Sequence, residues 1–410
     1  MRPTLSVALL LAFVTAAPAA EPSKDFYFKK GDRVVFLGDS ITEQYQYSTY
    51  IELYLTTRFP DWQMQFLNAG IGGDTATGGA GRFKAQVLAE KPTAVTIDFG
   101  MNDGGYRGFN EKSAANFVRQ TEAMVEMAKQ SGVRVALISP NAVEVRNKPD
   151  LETYLETQQK FYAPLKEIAA KNGLPFVDQY AVTRKILEKI AADKASVKPF
   201  PDAVHTNEAG GLLMAHTILV GLGAPAAVSD ASINSFTRQA KTSRCKVTNL
   251  EGGPSGVVFE RTDDAMPLPV LKGWRGLLPY LDNLNDFNHY GLKVTALTAG
   301  KYTLLIDGNE IATYTSQQLA DGINLGNLES GPIFDQGQAV LNAINSKNKI
   351  VHQRFRGVVM FQMPDWLADI GEPRRQEQLK MRKEQIDMAQ AKVYELARPV
   401  THKFELKAAK

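Results

Sequence analysis

Five short apolar runs, at residues 34–37, 63–67, 94–99, 133–138 and 174–177, alternate with stretches of helical period through the first half of the chain. Strands separated by helices cannot pair as tight hairpins. They pair in parallel, and the helices cover both faces of the resulting sheet. The pattern therefore predicts a three-layer α/β domain built on a parallel five-stranded sheet. Helices are expected at residues 47–59, 82–88, 114–130, 151–172 and 181–192, and from a cap at Thr206 or Asn207 to about residue 222. Pro60 and Gly173 stop two of them, and Phe117, Met124, Val125 and Met127 give the third an apolar side.

The segments just past the strands carry the chemistry. The first run leads into Gly38-Asp39-Ser40-Ile41-Thr42. The second ends in Gly70-Ile71-Gly72-Gly73-Asp74-Thr75, and the third in Gly100-Met101-Asn102-Asp103. The loop before the last helix reads Asp202-Ala203-Val204-His205. In an open α/β sheet the carboxyl ends of the strands present ligands and catalytic groups on one edge. Ser40 there is a candidate nucleophile, provided a base lies within reach; an isolated Gly-Asp-Ser equally well caps a helix.

His205 lies in a loop, whereas His216 falls inside the last helix. Asp202 stands three residues before His205, so a short turn lets its carboxylate bind one ring nitrogen and leaves the other facing Ser40. The imidazole then takes the hydroxyl proton and returns it to the leaving group. Attack on an ester creates an oxyanion that needs fixed donors. The Ser40 N–H, the Gly73 N–H and the Asn102 amide are the natural three, each worth ~3 kcal/mol of transition-state stabilisation. Asp39, Asp74, Thr75 and Asp103 are expected to hold backbone rather than react, and Thr42 to cap or pack.

Taken in order, these four blocks resemble the SGNH hydrolases, also called the GDSL lipase/esterase family, over about residues 32–222. The resemblance implies a flavodoxin-like sheet and a serine esterase mechanism without cofactor or metal. It implies the same roles for Ser40, Gly73, Asn102, Asp202 and His205; Gly72 is the neighbouring candidate, and the place before Asp-Thr selects Gly73. The spelling Gly-Asp-Ser-Ile-Thr-Glu resembles members acting on short-acyl, acetyl-type esters of carbohydrates, so a small-molecule or polysaccharide ester is the expected partner. The family also contains lipases, lysophospholipases and thioesterases. The rival from another class is a non-catalytic carbohydrate-binding protein on this fold, against which the intact Ser40, Asp202 and His205 argue.

Residues 1–20 read as a secretory signal: Arg2, an apolar run at 9–14 too short to span a bilayer, and the small-residue site Ala17-Pro18-Ala19. Export to a periplasmic or extracellular location is the expectation, with no stable membrane insertion after cleavage. Lys+Arg 47 against Asp+Glu 44 leaves a balanced chain that asks for no nucleic acid. The one cysteine, Cys245, cannot form an internal disulfide and reads as structural.

These signals divide the chain into a leader at 1–20, a hydrolase domain at 21–228, and an accessory α+β region at 229–410. In the last, strands are expected at 245–249 and 256–260, with a short edge strand at 268–271. A three-stranded meander is expected over 291–296, 301–306 and 311–314, turned at Ala299-Gly300 and Asp307-Gly308. Helices are expected at 316–320, 336–346, 350–360 and 377–397. The 377–397 helix carries an apolar stripe at Leu379, Ile386, Ala389, Val393 and Leu396 that packs on its own domain. Trp274, Tyr280, Tyr290 and Trp366 are candidate sugar-stacking residues, but the mixed pattern favours a layer that walls the active-site cleft. His289 reads as structural.

Overall fold

The computed structural model describes residues 26–146 and 148–409; the leader at 1–20 lies outside the described residues. Val34, Val35, Phe36 and Leu37 are each no more than 1% exposed, so β1 (Arg33–Gly38) is covered on both faces. It is followed by α1 (Ser40–Glu43), α2 (Gln46–Arg58) and β2 (Gln65–Gly70). Then come α3 (Ala76–Arg82), β3 (Ala94–Asp98), α4 (Met101–Gly104), α5 (Glu111–Gln130) and β4 (Arg134–Ile138). The series closes with α6 (Glu152–Asn172), β5 (Phe176–Val177), α7 (Gln179–Ala192) and α8 (Glu208–Gly221). The five strands form one sheet in the order β2-β1-β3-β4-β5, and every pair in it is parallel. That is the expected sheet with its helical layers.

One first-half helix starts earlier than expected. Residues 82–88 are helical as expected, but the helix, α3, begins at Ala76 because the Thr75 side chain caps it on the Gly78 N–H. Phe83–Val87 continues it as a single wide turn. Glycine-rich sequence is a poor helix former, which hid the true start.

The second half holds nine of the described strands in two further sheets. One has the order β13-β10-β6-β7, from β6 (Ala227–Asn234), β7 (Gln239–Ser243), β10 (His289–Thr295) and β13 (Ile323–Asn324). The other has the order β12-β11-β14-β9-β8, from β8 (Cys245–Gly253), β9 (Gly256–Asp263), β11 (Lys301–Ile306), β12 (Asn309–Thr315) and β14 (Thr401–Ala408). The expected meander is corrected here. β11 and β12 form the antiparallel hairpin at Asp307-Gly308, but β10 leaves it to pair parallel with β6. Alternation fixes which face of a strand is buried, not which strand lies beside it. Tyr290, Leu292 and Val294 of β10 and Tyr302, Leu304 and Ile306 of β11 fill one apolar core from opposite sheets. The expected strand at 268–271 is also absent. Those residues run as irregular chain, pinned by the Asn288 side chain, which accepts from Leu268 N–H and donates to Leu268 O.

The helices of the second half are α9 (Ser316–Asp321), α10 (Pro332–Arg354) and α11 (Ala368–Leu396). α11 is longer than expected, and its carboxyl-terminal end packs inward through Val393 and Tyr394. α10 meets the two new sheets at its first turn, where Ile333 joins their core, but most of its buried side packs elsewhere. Val340, Leu341, Ile344 and Val351 of α10, Val393 of α11 and Trp274 join the core of the first half. α10 and Trp274 cover α2, in which every residue from Tyr47 to Arg58 is buried. Trp274 is fully buried edge-on against Tyr50 at 4.8 Å, and Tyr290 is 1% exposed, so neither is open to a sugar. The Arg58 guanidinium donates to Pro225 O, Ala226 O and Phe287 O. Lys347 of α10 pairs with Glu52 of α2, both buried, and donates also to Gln390 of α11.

Among the described residues no helix is long and apolar enough to cross a membrane. Cys245 donates its thiol to Asp230 O, and burial pushes that thiol up to about 11.

Candidate active site

Ser40 stands at the first turn of α1, immediately beyond the carboxyl end of β1. Gly38 is needed there for space rather than for an unusual φ: a Cβ on it would lie 2.2 Å from Thr42 Oγ1 and 2.7 Å from Asp98 O. Asp39 is the helix cap, its Oδ1 accepting from the Ile41 N–H at 3.0 Å. Capping and a reactive serine are therefore compatible in one turn. Thr42 packs, its hydroxyl 2.8 Å from the Tyr47 hydroxyl.

His205 arrives from the loop before α8. Its Nε2 lies 2.9 Å from Ser40 Oγ, and its Nδ1 lies 2.7 Å from Asp202 Oδ2. A carboxylate can only accept, so Nδ1 carries the proton and Nε2 accepts from the serine hydroxyl. Asp202 Oδ1 also accepts from the N–H groups of Val204 and His205, at 3.0 and 2.7 Å. Burial pushes the Asp202 carboxyl up, but these hydrogen bonds outweigh it and hold the carboxyl below the ordinary aspartate range. The turn is tight enough to force Ala203 to φ +79°, a region that non-glycine residues seldom enter. Ala203 is held there by its own N–H on Phe200 O and by the Glu144 N–H on its carbonyl, each at 2.9 Å. Gln44 ties the same loop to the Ser40 turn, its Oε1 accepting from Thr206 N–H and hydroxyl. Asn207, not Thr206, caps α8.

Opposite this line lies the loop between β2 and α3. Gly73 has φ +73° and open space around it. The Gly72 N–H is already taken by Glu43 Oε2 at 2.6 Å, which leaves Gly73 as the glycine with a donor to offer. Asn102, in α4 beyond β3, gives one amide hydrogen to Asp74 O at 2.9 Å and makes only a long 3.4 Å contact to Asp39 Oδ2. Tyr106 donates to Asn102 Oδ1. Asp103 accepts from the Ala76 N–H, and Asp74 accepts from Thr75 N–H and Arg82 Nε. The motif aspartates hold the loops in place.

Beneath the site the carboxyls are strongly desolvated. Burial first, and the Asp103 and Asp74 charges next, push Asp39 up to about 7. Burial pushes Asp103 up to about 6. Asp98 at the end of β3 is driven well above the ordinary range by burial and by Asp39.

Other sequence candidates sit elsewhere. His289 bonds Asp230 at 3.0 Å, on the wall of a separate cavity of about 530 Å³ over the β13-β10-β6-β7 sheet. His216 pairs with Asp286. Two residues that sequence reasoning did not single out touch the site: Glu43 and, from the second half, Arg356, whose Nε lies 3.2 Å from Glu43 Oε1. Glu43 was legible as the last letter of the first block. Arg356 carried no local signal.

With the geometry in place, comparison with known proteins gives a family. Residues 36–211 match the GDSL-like Lipase/Acylhydrolase family. The chain is 23% identical over 221 residues to the acetylxylan esterase of Geobacillus stearothermophilus, covering 47% of this chain and 94% of that protein. It is 31% identical over 139 residues to esterase TesA of Pseudomonas aeruginosa, covering 33% of this chain and 61% of that protein. A solved structure described as a gut microbial diltiazem-metabolizing enzyme aligns over 96% of this chain and 100% of its own, with TM-score 0.81 and 26% identity. That alignment takes in the second half as well as the hydrolase half. A serine at the end of the first strand, within reach of a histidine, lies inside this matched region; residues 36–211 are a region of the GDSL-like lipase/acylhydrolase type, and the protein is a serine carboxylic ester hydrolase.

Proposed function

We propose that this protein is an exported esterase that removes short acyl groups, acetyl above all, from carbohydrate esters through an acyl-enzyme on Ser40. The observation that carries the mechanism is the line Ser40 Oγ–His205 Nε2–His205 Nδ1–Asp202 Oδ2, with spans of 2.9 and 2.7 Å. In this reading His205 takes the Ser40 proton as Oγ attacks the ester carbonyl, and Asp202 stabilises the imidazolium that forms. The bond from carbonyl carbon to alkoxy oxygen then breaks, and His205 hands its proton to the departing alcohol. Water, deprotonated by the same imidazole, releases the acid and restores Ser40.

The oxyanion of each tetrahedral intermediate is held by the N–H groups of Ser40 and Gly73 and by Asn102. A first-turn N–H of a helix has no intrahelical acceptor, which suits Ser40 N. Of the two Asn102 amide hydrogens, the one not bonded to Asp74 O is the donor available. The acetyl-carbohydrate preference is supported by likeness to a protein named acetylxylan esterase, and export by the leader pattern at residues 1–20. The second half serves as the accessory region, at 229–410, of a hydrolase unit at 21–228.

The test is hydrolysis of p-nitrophenyl esters from acetate to palmitate, with chelator present, for the wild type and Ser40→Ala. An acetylated xylo-oligosaccharide panel and diltiazem run beside it. Acetate turnover that falls by about 10³-fold or more in Ser40→Ala, with acetyl release from the oligosaccharides, supports the proposal. A maximum at long acyl chains assigns the site to lipid esters instead. Undiminished turnover in Ser40→Ala sinks the mechanism.

A further inference from the structure

A stretch with two consecutive glycines is the loosest backbone a chain can offer, yet an oxyanion donor works only if it is held in place before the charge forms. The Gly72-Gly73 segment must therefore be pinned from both sides. On the far side Asp74 does this, with its carbonyl on Asn102 and its carboxylate on Arg82 and the Thr75 N–H. On the near side the pin is Glu43, whose Oε2 accepts from the Gly72 N–H at 2.6 Å. Glu43 alone is a poor anchor, because a free carboxylate side chain turns among several rotamers. Its second oxygen, Oε1, is held at 3.2 Å by the Arg356 guanidinium.

Arg356 is itself set from the second half of the chain. It rides on the wide turn Phe355–Val359 that ends α10, with Phe355 fully buried. The carbonyls of Val358 and Val359 accept from Arg375 of α11. The Arg356 Nη1 also rests on Met360 Sδ at 3.3 Å.

We infer that Arg356 is a positioning residue for the oxyanion hole: acting through Glu43, it fixes the Gly72-Gly73 backbone so that the Gly73 N–H is already aimed when the tetrahedral intermediate forms. The inference rests on the reading of Gly73 given under Proposed function. It gives the second half of the chain a part in the reaction without contact to substrate. An ion pair this exposed adds little to stability; its effect should appear in the transition state and not in substrate binding.

The experiment is a kinetic cycle on p-nitrophenyl acetate with Arg356→Ala, Arg356→Lys, Glu43→Gln and the double variant Glu43→Gln/Arg356→Ala, each checked for an unchanged thermal midpoint. Glutamine keeps an acceptor for the Gly72 N–H and removes only the charge pairing. Arg356→Ala should lower kcat about fivefold with KM within about twofold of wild type, a fraction of what losing the donor outright would do. Arg356→Lys should recover to within about twofold, and Glu43→Gln should match Arg356→Ala. The double variant should fall no further than either single one, because both act through one contact.

Wild-type kcat in Arg356→Ala overturns the inference. So does a raised KM at constant kcat, which would mark a substrate contact, or a double variant that shows the product of the two single losses. Activity persisting in Ser40→Ala would instead defeat the reading of the site itself. A dead Ser40→Ala beside an unimpaired Arg356→Ala defeats only the role of Arg356.

Discussion

His205 holds Asp202 twice, through its backbone N–H on Oδ1 and through ring Nδ1 on Oδ2, both at 2.7 Å. The carboxylate therefore reports on the ring and on the loop that carries it. In Asp202→Asn the amide can still accept one of these bonds, but its other end donates, and the ring is driven towards the wrong tautomer. We expect kcat to fall by about 10²–10⁴-fold, with KM little changed, by the reasoning that applies to any such carboxylate–imidazole pair. Steady-state kinetics on an acetyl ester checks this; a loss under threefold would remove Asp202 from the mechanism.

The buried Asp39 makes a prediction about pH. Its folded pKa, about 7, lies above the ordinary 3.8, so the folded protein binds a proton there that the unfolded chain has released. Stability contributed by that proton is full below about pH 4 and is lost as pH rises towards 7. Asparagine keeps a side-chain oxygen for the Ile41 N–H and cannot ionise. The thermal midpoint of the wild type should thus fall more between pH 5 and pH 8 than that of Asp39→Asn. Parallel slopes for the two proteins would show that Asp39 is ionised in the folded state throughout.

Lys347 and Glu52 are 0% and 1% exposed and bridge α10 to α2. Removing one partner strands the other charge. Lys347→Met should destabilise by about 3–5 kcal/mol, whereas Lys347→Met with Glu52→Leu should recover most of the loss. Urea unfolding of the wild type and the two variants decides it, and equal losses in the single and double variants would contradict the account.

Cys245 is inert by the same physics. With its thiol pushed up to about 11 by burial and engaged with Asp230 O, little thiolate exists at neutral pH. Labelling with a disulfide reagent at pH 7.5 should be slow in the folded protein and fast in denaturant, and Cys245→Ser should keep full esterase activity. Rapid native labelling would refute this.

The sequence made the first half readable because periodicity and chemistry pointed the same way there. The first three runs of β-branched and apolar residues ended in glycine and polar residues that a solvent-facing turn alone would not need, so strand ends and candidate site residues were read together. The second half offered fewer constraints. β10 and β11 share the same alternation, and nothing in residues 289–306 says that one pairs with β6 and the other with β12. The strand at 401–408 was present as a period-two signal, with His402, Phe404 and Leu406 buried between charged neighbours, but it lies directly after a long helix. Arg356 could not have been found from spacing at all, since its partner stands more than 300 positions away.

Helix α2 begins three residues beyond the α1 turn that carries Ser40, and from Tyr47 to Arg58 it has no solvated side. Glu52 on it pairs with Lys347, and the Arg58 guanidinium donates to the carbonyls of Pro225, Ala226 and Phe287. The part of the gene that family comparison recognises is thus not a part that could be excised and expressed. A fragment ending near residue 228 would leave α2 wet along the faces that Trp274 and α10 cover, with an unpaired carboxylate at Glu52 and a guanidinium at Arg58 that has lost its Phe287 acceptor. Insolubility of such a fragment would say nothing against its chemistry. It would reflect a candidate nucleophile whose supporting helix is completed by packing from the second half of the chain.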